Sequence, residues 1–263
     1  MNSINKIKIT ALIVARNEEN HIKDCLQSLE GIDEIIILLD RTNDNTINIA
    51  QKFDCTIIEG SWESEGIRRN EGISKCSNNW ILEIDADERA NKKLIREAKN
   101  KIKLLKDSSK GYFLIPFDNY IGNKRVRHGW GASWGVSSKP CLFNKNSKKW
   151  GNETIHPSLN LDNKHGFLEN RIDHYVDRNI SDMILRLDRY TSAKAIDIRK
   201  SSKKIPPLWI TIRRALTRFY KCYITRKGYK EKGWGFLNAT FAALFILISY
   251  LKASLEEKEK PKY

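Results

Sequence analysis

The feature that most constrains the fold is an alternation of short apolar runs with segments of helical periodicity. The runs are rich in β-branched residues, and they cover residues 8–15, 34–39, 55–59 and 80–84. Strands that are apolar along their whole length are typical of parallel sheets covered by helices on both faces. The sequence therefore predicts an α/β protein with a mainly parallel sheet, in which ligands bind beyond the carboxyl ends of the strands.

The ends of the predicted strands carry several polar and acidic side chains. These are Asn17, Glu18, Asp40, Asp85 and Asp87. A single acid in such a place is ordinarily a helix cap, which is what we predict for Asp44. Several such groups on one rim of the sheet indicate a binding site instead.

The loop after the first strand lacks glycine, which disfavours the two common nucleotide-binding loops. Residues 15–18 offer neither the GxGxxG nor the GxxxxGK[ST] pattern, which let backbone amides approach a phosphate. Asp85 and Asp87 flank one small residue and can share a hard divalent cation such as Mg²⁺. A solvated turn is the alternative interpretation of this acidic pair.

The order of these motifs resembles family 2 glycosyltransferases, most of all the branch of bacterial lipopolysaccharide core glucosyltransferases. The first part of the resemblance lies in residues 9–18, 40–46, 69–72 and 84–89. It continues through Leu142, Phe143, Trp150, Ile155, His156, the run 172–175, Tyr190 and the basic C-terminal segment. The resemblance implies a GT-A fold, a Rossmann-like mixed sheet flanked by helices, with a basic and apolar helical appendage.

The resemblance also implies which residues bind a nucleotide-sugar donor. Ala15, Asn17 and Glu18 would line the nucleotide pocket, and Asp40 would accept a hydrogen bond from the uracil. Transfer from such a donor leaves a diphosphate, whose developing charge must be stabilised.

The remaining donor residues lie around the acidic pair. Arg69 and Asn70 would close the nucleotide side of the pocket. Asp85 would approach the ribose or the metal, Asp87 would ligate the metal, and Ala86 between them belongs to the same site. The expected cofactor is Mg²⁺ or Mn²⁺, acting on the diphosphate as a Lewis acid.

Inversion at the anomeric carbon needs a general base that removes the proton of the acceptor hydroxyl. Related enzymes carry an acid directly after the histidine that matches His156, whereas this chain has Pro157. Glu153 is our candidate for the base, with His156 and Asp173 as further candidates. The alternative interpretation of Glu153 is an exposed acid in a loop. The alternative interpretation of His156 and His174 is that they are core histidines that donate hydrogen bonds to the backbone.

Positive charge is concentrated near the C-terminus. The chain has a formal net charge of +15, and residues 199–232 hold twelve basic residues against one acid, Glu231. Trp209, Ile212, Leu216, Phe219 and Tyr223 recur at helical spacing within this stretch, after Pro206 and Pro207, which we expect to start the helix. Residues 234–251 then contain no charged side chain.

Three interpretations fit this C-terminal segment: a helix pair lying on an anionic leaflet, a packing or dimer helix, and a membrane span. Nucleic-acid binding is disfavoured because no helix-turn-helix, zinc-finger or RNP pattern accompanies the charge. The five cysteines form no CxxC pair or disulfide pattern, and residues 1–8 lack the apolar run of a signal peptide. We therefore expect a cytoplasmic protein, peripheral on the inner face of the cytoplasmic membrane.

Together these observations predict a GT-A domain over residues 1–175 and a helical C-terminal region over 176–263. Within the domain we expect a nucleotide-binding half at about 8–106 and an acceptor half at about 107–175. The expected activity is inverting transfer of a sugar, glucose first, from a UDP-sugar to an envelope glycolipid or saccharide. A polyprenyl-phosphate, capsule or protein transferase is the alternative within the fold, and a basic membrane- or nucleic-acid-binding protein is the alternative outside it.

Overall fold

The computed structural model describes residues 7–130, 135–152, 157–201 and 205–256, and the chain divides into two compact units. Within the described residues, the first unit runs up to Asp118 and resumes from Ser137 to His174. The second unit comprises Asn119 to Val136 and the chain from Tyr175 onward. The division of the chain into domains at residue 175 stays a prediction.

The first unit begins with the predicted alternation of strands and helices. Its strands here are β1 (Ile9–Ala15), β2 (Glu34–Asp40), β3 (Thr56–Gly60) and β4 (Trp80–Asp85). The helices between and after them are α1 (Ile22–Ser28), α2 (Thr46–Ala50), α3 (Glu65–Lys75) and α4 (Lys92–Lys103). β1 is buried over its whole length and pairs in parallel with both β2 and β4, while β3 extends the parallel set beyond β2.

The rest of the sheet is mainly antiparallel. The strand order is β3-β2-β1-β4-β8-β6-β12-β5, with β11 also beside β6, and β9 and β10 form a separate two-stranded ribbon. The bounds are β5 (Glu88–Arg89), β6 (Tyr112–Ile121), β8 (Ser138–Asn144), β9 (Lys148–Trp150), β10 (Leu159–Leu161), β11 (Lys164–Phe167) and β12 (Ile172–Asp177). The predicted GT-A type architecture, a mainly parallel Rossmann-like half continued by further strands and flanked by helices, is confirmed.

The helical periodicity of the sequence predicts helices over residues 46–53 and 67–76 and over about 92–106. The structure shifts several of their ends, and capping explains one of these shifts. The helix predicted from Ile67 starts two residues earlier, because the Ser64 hydroxyl accepts a hydrogen bond from the Ile67 amide and caps α3. The N-cap residue of α2 is Asn45 rather than the predicted Asp44, but the carboxylate of Asp44, one residue earlier, accepts a 3.0 Å hydrogen bond from the amide of Thr46, the first residue of the helix. α2 ends at Ala50 and α4 at Lys103, each three residues before its predicted end.

The second unit is mainly helical. Its elements are β7 (Lys124–Val126), which pairs with residues 119–121, α5 (Ile180–Lys200), α6 (Leu208–Tyr220), a π-helical turn (Lys221–Thr225), a 3-10 turn (Gly228–Glu231) and α7 (Gly233–Leu255). α6 begins directly after Pro207, as predicted. α7 packs against both α5 and α6, and it is long and apolar enough to cross a membrane by length and composition alone.

α7 approaches the 3-10 turn very closely at Gly235. A Cβ at this position would lie 1.7 Å from the carbonyl oxygen of Gly228, whereas a Cβ at Gly233, two residues earlier, would meet nothing within 4 Å. Only a residue without a side chain fits at position 235, so the contact between α7 and the turn depends on Gly235.

We expect Gly235→Ala to lower the free energy of unfolding by about 1–3 kcal/mol through overpacking. The sign of the change in the free energy of unfolding distinguishes overpacking from helix propensity, because a glycine-to-alanine substitution inside a helix ordinarily stabilises a protein by about 1 kcal/mol. Urea denaturation of Gly235→Ala beside the control Gly233→Ala measures the difference. Equal stability of the two variants would contradict the close contact.

Candidate functional site

The carboxyl ends of β1, β2 and β4 form one rim of the first unit, called here the carboxyl rim. In the parallel register Ala15 lies opposite Leu39, and Val14 lies opposite Asp85. The strand ends therefore bring the predicted residues Ala15, Asp40 and Asp85 to neighbouring positions. Their roles toward a ligand stay predictions, whereas their common placement follows from the sheet.

The loops after β1 and β2 are tied together above the carboxyl rim. Asn17 adopts a left-handed backbone conformation with φ of 56°, and its side-chain oxygen accepts a 2.9 Å hydrogen bond from the amide of Asn43. Asparagine tolerates this conformation better than most residues. The Glu18 amide donates a 2.8 Å hydrogen bond to the hydroxyl of Thr46. Two of the predicted pocket residues thus fix the shape of the loops at the rim.

Asp40 presents a nearly buried carboxylate at the end of β2. It accepts hydrogen bonds from Arg41 at 2.8 and 2.9 Å, from Arg68 at 3.2 Å and from the Trp62 amide at 3.4 Å. Burial opposes its ionisation, but the hydrogen bonds from Arg41 and Trp62 and the charge of Arg68 outweigh burial and lower the pKa of Asp40 below its ordinary value. Asp40 is therefore an ionised hydrogen-bond acceptor.

Arg69 and Asn70 interact with the protein itself. The guanidinium of Arg69 pairs with Glu83, with Asp85 at 3.1 Å and with Glu65 at 2.8 Å. Asn70 donates a 2.8 Å hydrogen bond to the Trp150 carbonyl and accepts one of 3.0 Å from the Trp150 amide. These contacts hold β4 and β9 against α3, and the predicted contacts with a nucleotide stay predictions.

A set of six charged side chains lies at the carboxyl rim and beneath it, and we call it the buried charge network. It contains three carboxylates and three cations: Glu83, Asp85 and Glu88 with Arg69, Lys139 and Lys148. Glu83, Glu88 and Lys148 are almost fully buried, whereas Asp85 and Lys139 are 31% and 28% exposed. The Lys148 ammonium lies 2.5 Å from Glu83, and that of Lys139 lies 2.9 Å from Asp85. Both lysines come from the strands after β7, and no local pattern in the sequence predicts their pairing with these acids.

The network controls the ionisation of its acids. Burial works against the ionised forms of Glu83 and Asp85. The charges of Lys148 and Arg69 outweigh burial at Glu83 and lower its pKa. The charges of Lys139 and Arg69 do the same at Asp85. Glu88 differs, because burial and the neighbouring charge of Asp85 raise its pKa to about 7 despite the opposing charge of Lys139. Glu88 also accepts a 3.0 Å hydrogen bond from the Asp85 amide, which closes the turn that carries Asp87.

Asp87, Glu88 and His174 form the candidate metal centre. One potential ligand atom from each residue lies within 4.8 Å of the others, and the Asp87 carboxylate is 3.5 Å from Nε2 of His174. The antiparallel pairing of β5 with β12 creates this cluster, since it sets His174 opposite Glu88. The two carboxylates are the kind of ligand that Mg²⁺ and Mn²⁺ take in proteins, so they fit the expected cation, and the imidazole of His174 adds a nitrogen ligand beside them.

Not all predicted ligands lie in this cluster. Asp85 points its carboxylate at Lys139 and Arg69, and its predicted metal contact stays a prediction. His174, which the sequence also allowed to be a core histidine, lies beside Asp87, and only its pairing across the sheet could have revealed this. The candidate base Glu153 and His156 lie outside the described residues.

Two buried donors at the carboxyl rim have no partner among the described side chains. They are Nε of Arg68, the residue that contacts Asp40, and Nε1 of Trp150, whose ring lies 5.2 Å from the Arg69 guanidinium carbon. Buried donors are almost always satisfied by protein, water or a ligand. Such atoms fit a site that takes a polar molecule.

The chain is similar in sequence to known glycosyltransferases. The model of the family described as "Glycosyl transferase family 2" matches residues 10–159. An uncharacterized glycosyltransferase of Rickettsia conorii (strain ATCC VR-613 / Malish 7) is 25% identical over 280 residues, covering 95% of this chain and 92% of that protein. The lipopolysaccharide core biosynthesis glycosyltransferase LpsC of Rhizobium meliloti (strain 1021) is 25% identical over 261 residues, covering 95% and 93%.

Among solved structures, that of S. aureus TarS 1–349 in complex with UDP aligns with a TM-score of 0.49 and 14% sequence identity. The alignment covers 86% of this chain and 75% of that chain. A structure of glucosyl-3-phosphoglycerate synthase from Mycobacterium tuberculosis, in complex with Mn²⁺, UDP and glucosyl-3-phosphoglycerate, aligns over 43% of this chain and 44% of that chain. Its TM-score is 0.36 at 17% identity.

Removal of one cation tests the buried charge network. We expect Lys148→Met to lower the free energy of unfolding by about 3 kcal/mol or more, because it leaves part of the Glu83 charge buried without a partner. Lys149→Met is the matched control, since Lys149 is exposed on the same strand. Chemical denaturation of both variants at neutral pH measures the difference, and equal effects would contradict the network.

The pH dependence has a definite sign. Pairing lowers the pKa of Glu83 from its ordinary value of 4.5, so the stability it provides is complete above that pH and is lost as the pH falls below it. The stability gap between wild type and Lys148→Met should therefore narrow as denaturation is repeated at progressively lower pH below 4.5. A gap that widens on acidification would contradict the assignment of an ionised Glu83.

Proposed function

Because the chain belongs to glycosyl transferase family 2, and is therefore a glycosyltransferase, we propose that it transfers a sugar from a UDP-sugar to an envelope glycolipid. Glucose is the first candidate for the sugar, and a lipopolysaccharide core or its precursor is the first candidate for the acceptor. The observation that carries the proposal is the cluster of Asp87, Glu88 and His174 beside the carboxyl rim.

Asp40 supports the choice of a uracil nucleotide. An ionised carboxylate at the end of β2 can accept the hydrogen bond that the ring N–H of uracil donates. Arg68, which contacts Asp40 and keeps one buried donor without a partner, adds a cation to the same part of the rim. Asn17 and Glu18 follow β1, the strand next to β2, and would shape the nucleotide pocket through their hydrogen bonds to the segment that follows β2.

Asp87 and His174 are the residues that we propose hold the divalent cation, with Glu88 as the third group of the cluster. Mg²⁺ or Mn²⁺ bound there would supply Lewis-acid stabilisation of the charge that develops on the diphosphate. Glu88, which pairs with Lys139 and accepts a hydrogen bond from the Asp85 amide, holds the turn that carries Asp87. Arg69 and Lys139 neutralise the charge of Asp85. Asp85 then keeps the role toward the ribose or the metal that the family resemblance implies.

Acceptor activation is the step for which we propose Glu153. An inverting transfer needs a base that faces the sugar carbon from the side opposite the leaving diphosphate. Glu153 follows β9 in the sequence and is the nearest acid to His156. His156 and Asp173 stay the alternative bases.

The choice of an envelope glycolipid rests on two facts. LpsC, whose name places it in lipopolysaccharide core biosynthesis, aligns over 95% of this chain. The basic stretch at residues 199–232 also suits an enzyme whose acceptor carries negative charge at a lipid surface. A polyprenyl phosphate, a capsule polysaccharide and a protein are the alternative acceptors.

Release of UDP from a panel of UDP-sugars, with membrane glycolipid extracts as acceptors and Mn²⁺ or Mg²⁺ present, tests the proposed function. We expect Asp87→Asn to reduce turnover by about a hundredfold or more, because stabilisation of the leaving group by a metal is worth several kcal/mol. Asp54→Asn is the control, an exposed aspartate on the same unit. Wild-type turnover by Asp87→Asn would refute the assignment of Asp87 as a metal ligand. Transfer to polyprenyl phosphate alone would identify a polyprenyl phosphate as the acceptor instead of a glycolipid.

A further inference from the structure

The second unit exposes a continuous line of large apolar side chains on α6, called here the apolar stripe. It comprises Leu208, Trp209, Ile212, Leu216 and Tyr220, which are 44%, 64%, 43%, 66% and 60% exposed. Their spacing of three and four residues places them on one side of the helix. Scattered apolar residues are normal on a surface, but a contiguous patch of this kind marks an interaction site.

The buried side of α6 explains why the large residues lie outside. Its buried positions are Thr211 and Ala215, both small, and buried positions of α7 include Ala239 and Ala242. α6 and α7 pack against each other, and small side chains let two helices approach closely. The packing of the second unit therefore uses the small residues of α6 and leaves the apolar stripe for another partner.

The charge around the stripe selects that partner. Arg213 and Arg214 are exposed on α6, and Lys221, Arg226 and Lys227 are exposed in the segment that follows it. A second copy of this chain would bring like charges together at the same face. A nucleic acid would use the cations but would leave leucine and isoleucine without a partner. An anionic lipid surface satisfies both the cations and the apolar side chains.

α7, although long and apolar enough to span a membrane, is engaged on two sides. It packs against α5 and against α6 within the same unit, and its polar residues Asn238 and Ser249 are buried. A third of the apolar window of α7 is buried within the protein, and crossing a bilayer as a lone helix would break the contacts that bury it. α7 is better placed to support α6 than to cross a bilayer.

We propose that the apolar stripe of α6 docks the protein into the interface of an anionic lipid bilayer. α6 lies parallel to the membrane plane with its arginines at the headgroups, and α7 stays packed behind it. This deepens the proposed function, on which it rests for the nature of the acceptor, by naming the surface that meets the membrane. Vesicle binding tests this surface without a sugar donor or an acceptor.

Flotation of the full chain with lipid vesicles tests the proposal. Wild type should float with vesicles of three parts phosphatidylcholine to one part phosphatidylglycerol and much less with phosphatidylcholine alone. The double variant Trp209→Ser with Leu216→Ser should lose about tenfold or more in vesicle affinity, because two large apolar side chains no longer enter the interface. Leu185→Ser on α5, where the leucine is 69% exposed, is the matched control and should bind as wild type does.

A second pair of substitutions tests the charge. Arg213→Gln with Arg214→Gln should weaken binding to the anionic vesicles and reduce its dependence on salt, while leaving binding to neutral vesicles unchanged. Unchanged flotation of the Trp209 and Leu216 double variant would overturn the proposal. The proposal would also be overturned if wild type did not bind vesicles but formed a dimer in sedimentation equilibrium, and if the double variant did not form that dimer.

Two further readouts separate the remaining outcomes. Release of vesicle-bound wild type by alkaline carbonate is expected of a helix in the interface, and resistance to it would overturn the in-plane orientation. UDP binding by the double variant, measured by calorimetry, should equal that of wild type and shows that the fold is intact. Vesicle binding without any UDP binding by wild type would refute the proposed donor and leave the docking surface standing.

Discussion

The pairing of buried charges beneath the carboxyl rim is the constraint on which the rest of the first unit depends. Glu83 lies inside β4, a strand buried on both faces, where an isolated carboxylate would be strongly disfavoured. Lys148 and Arg69 neutralise it, and they come from β9 and α3. The charge of one residue in the central sheet thus dictates how the later strands and α3 must pack.

The same pairing divides the acids at the site into two kinds. Asp85 and Glu88 pair with cations of the protein, whereas Asp87 lies next to His174. Asp85 and Asp87 are similarly exposed, at 31% and 33%, so the two aspartates differ in their partners and not in their access to solvent. This arrangement turns a short acidic motif into a candidate metal centre without requiring every acid in it to be a ligand.

Local patterns in the sequence were enough for the parallel half of the fold and for the rim. Apolar runs, the role of Asp44 at the start of α2 and the acids at the strand ends depend on neighbours in the chain, so they could be predicted. Lys139 and His174 could not, because their partners are 51 to 87 residues away and meet them only through antiparallel pairing. The charged Glu83 within an apolar strand was the one local signal that distant cations must exist.

The proposed function requires that the rim of the first unit binds UDP together with a divalent cation through Asp87 and His174. Calorimetric titration of the protein with UDP, in the presence of Mn²⁺ and in the presence of a chelator, tests it most directly. The account predicts tight binding only with the metal, lost in both Asp87→Asn and His174→Ala and retained in Asp54→Asn. Metal-independent binding of UDP, or full metal-dependent binding by Asp87→Asn, would contradict it.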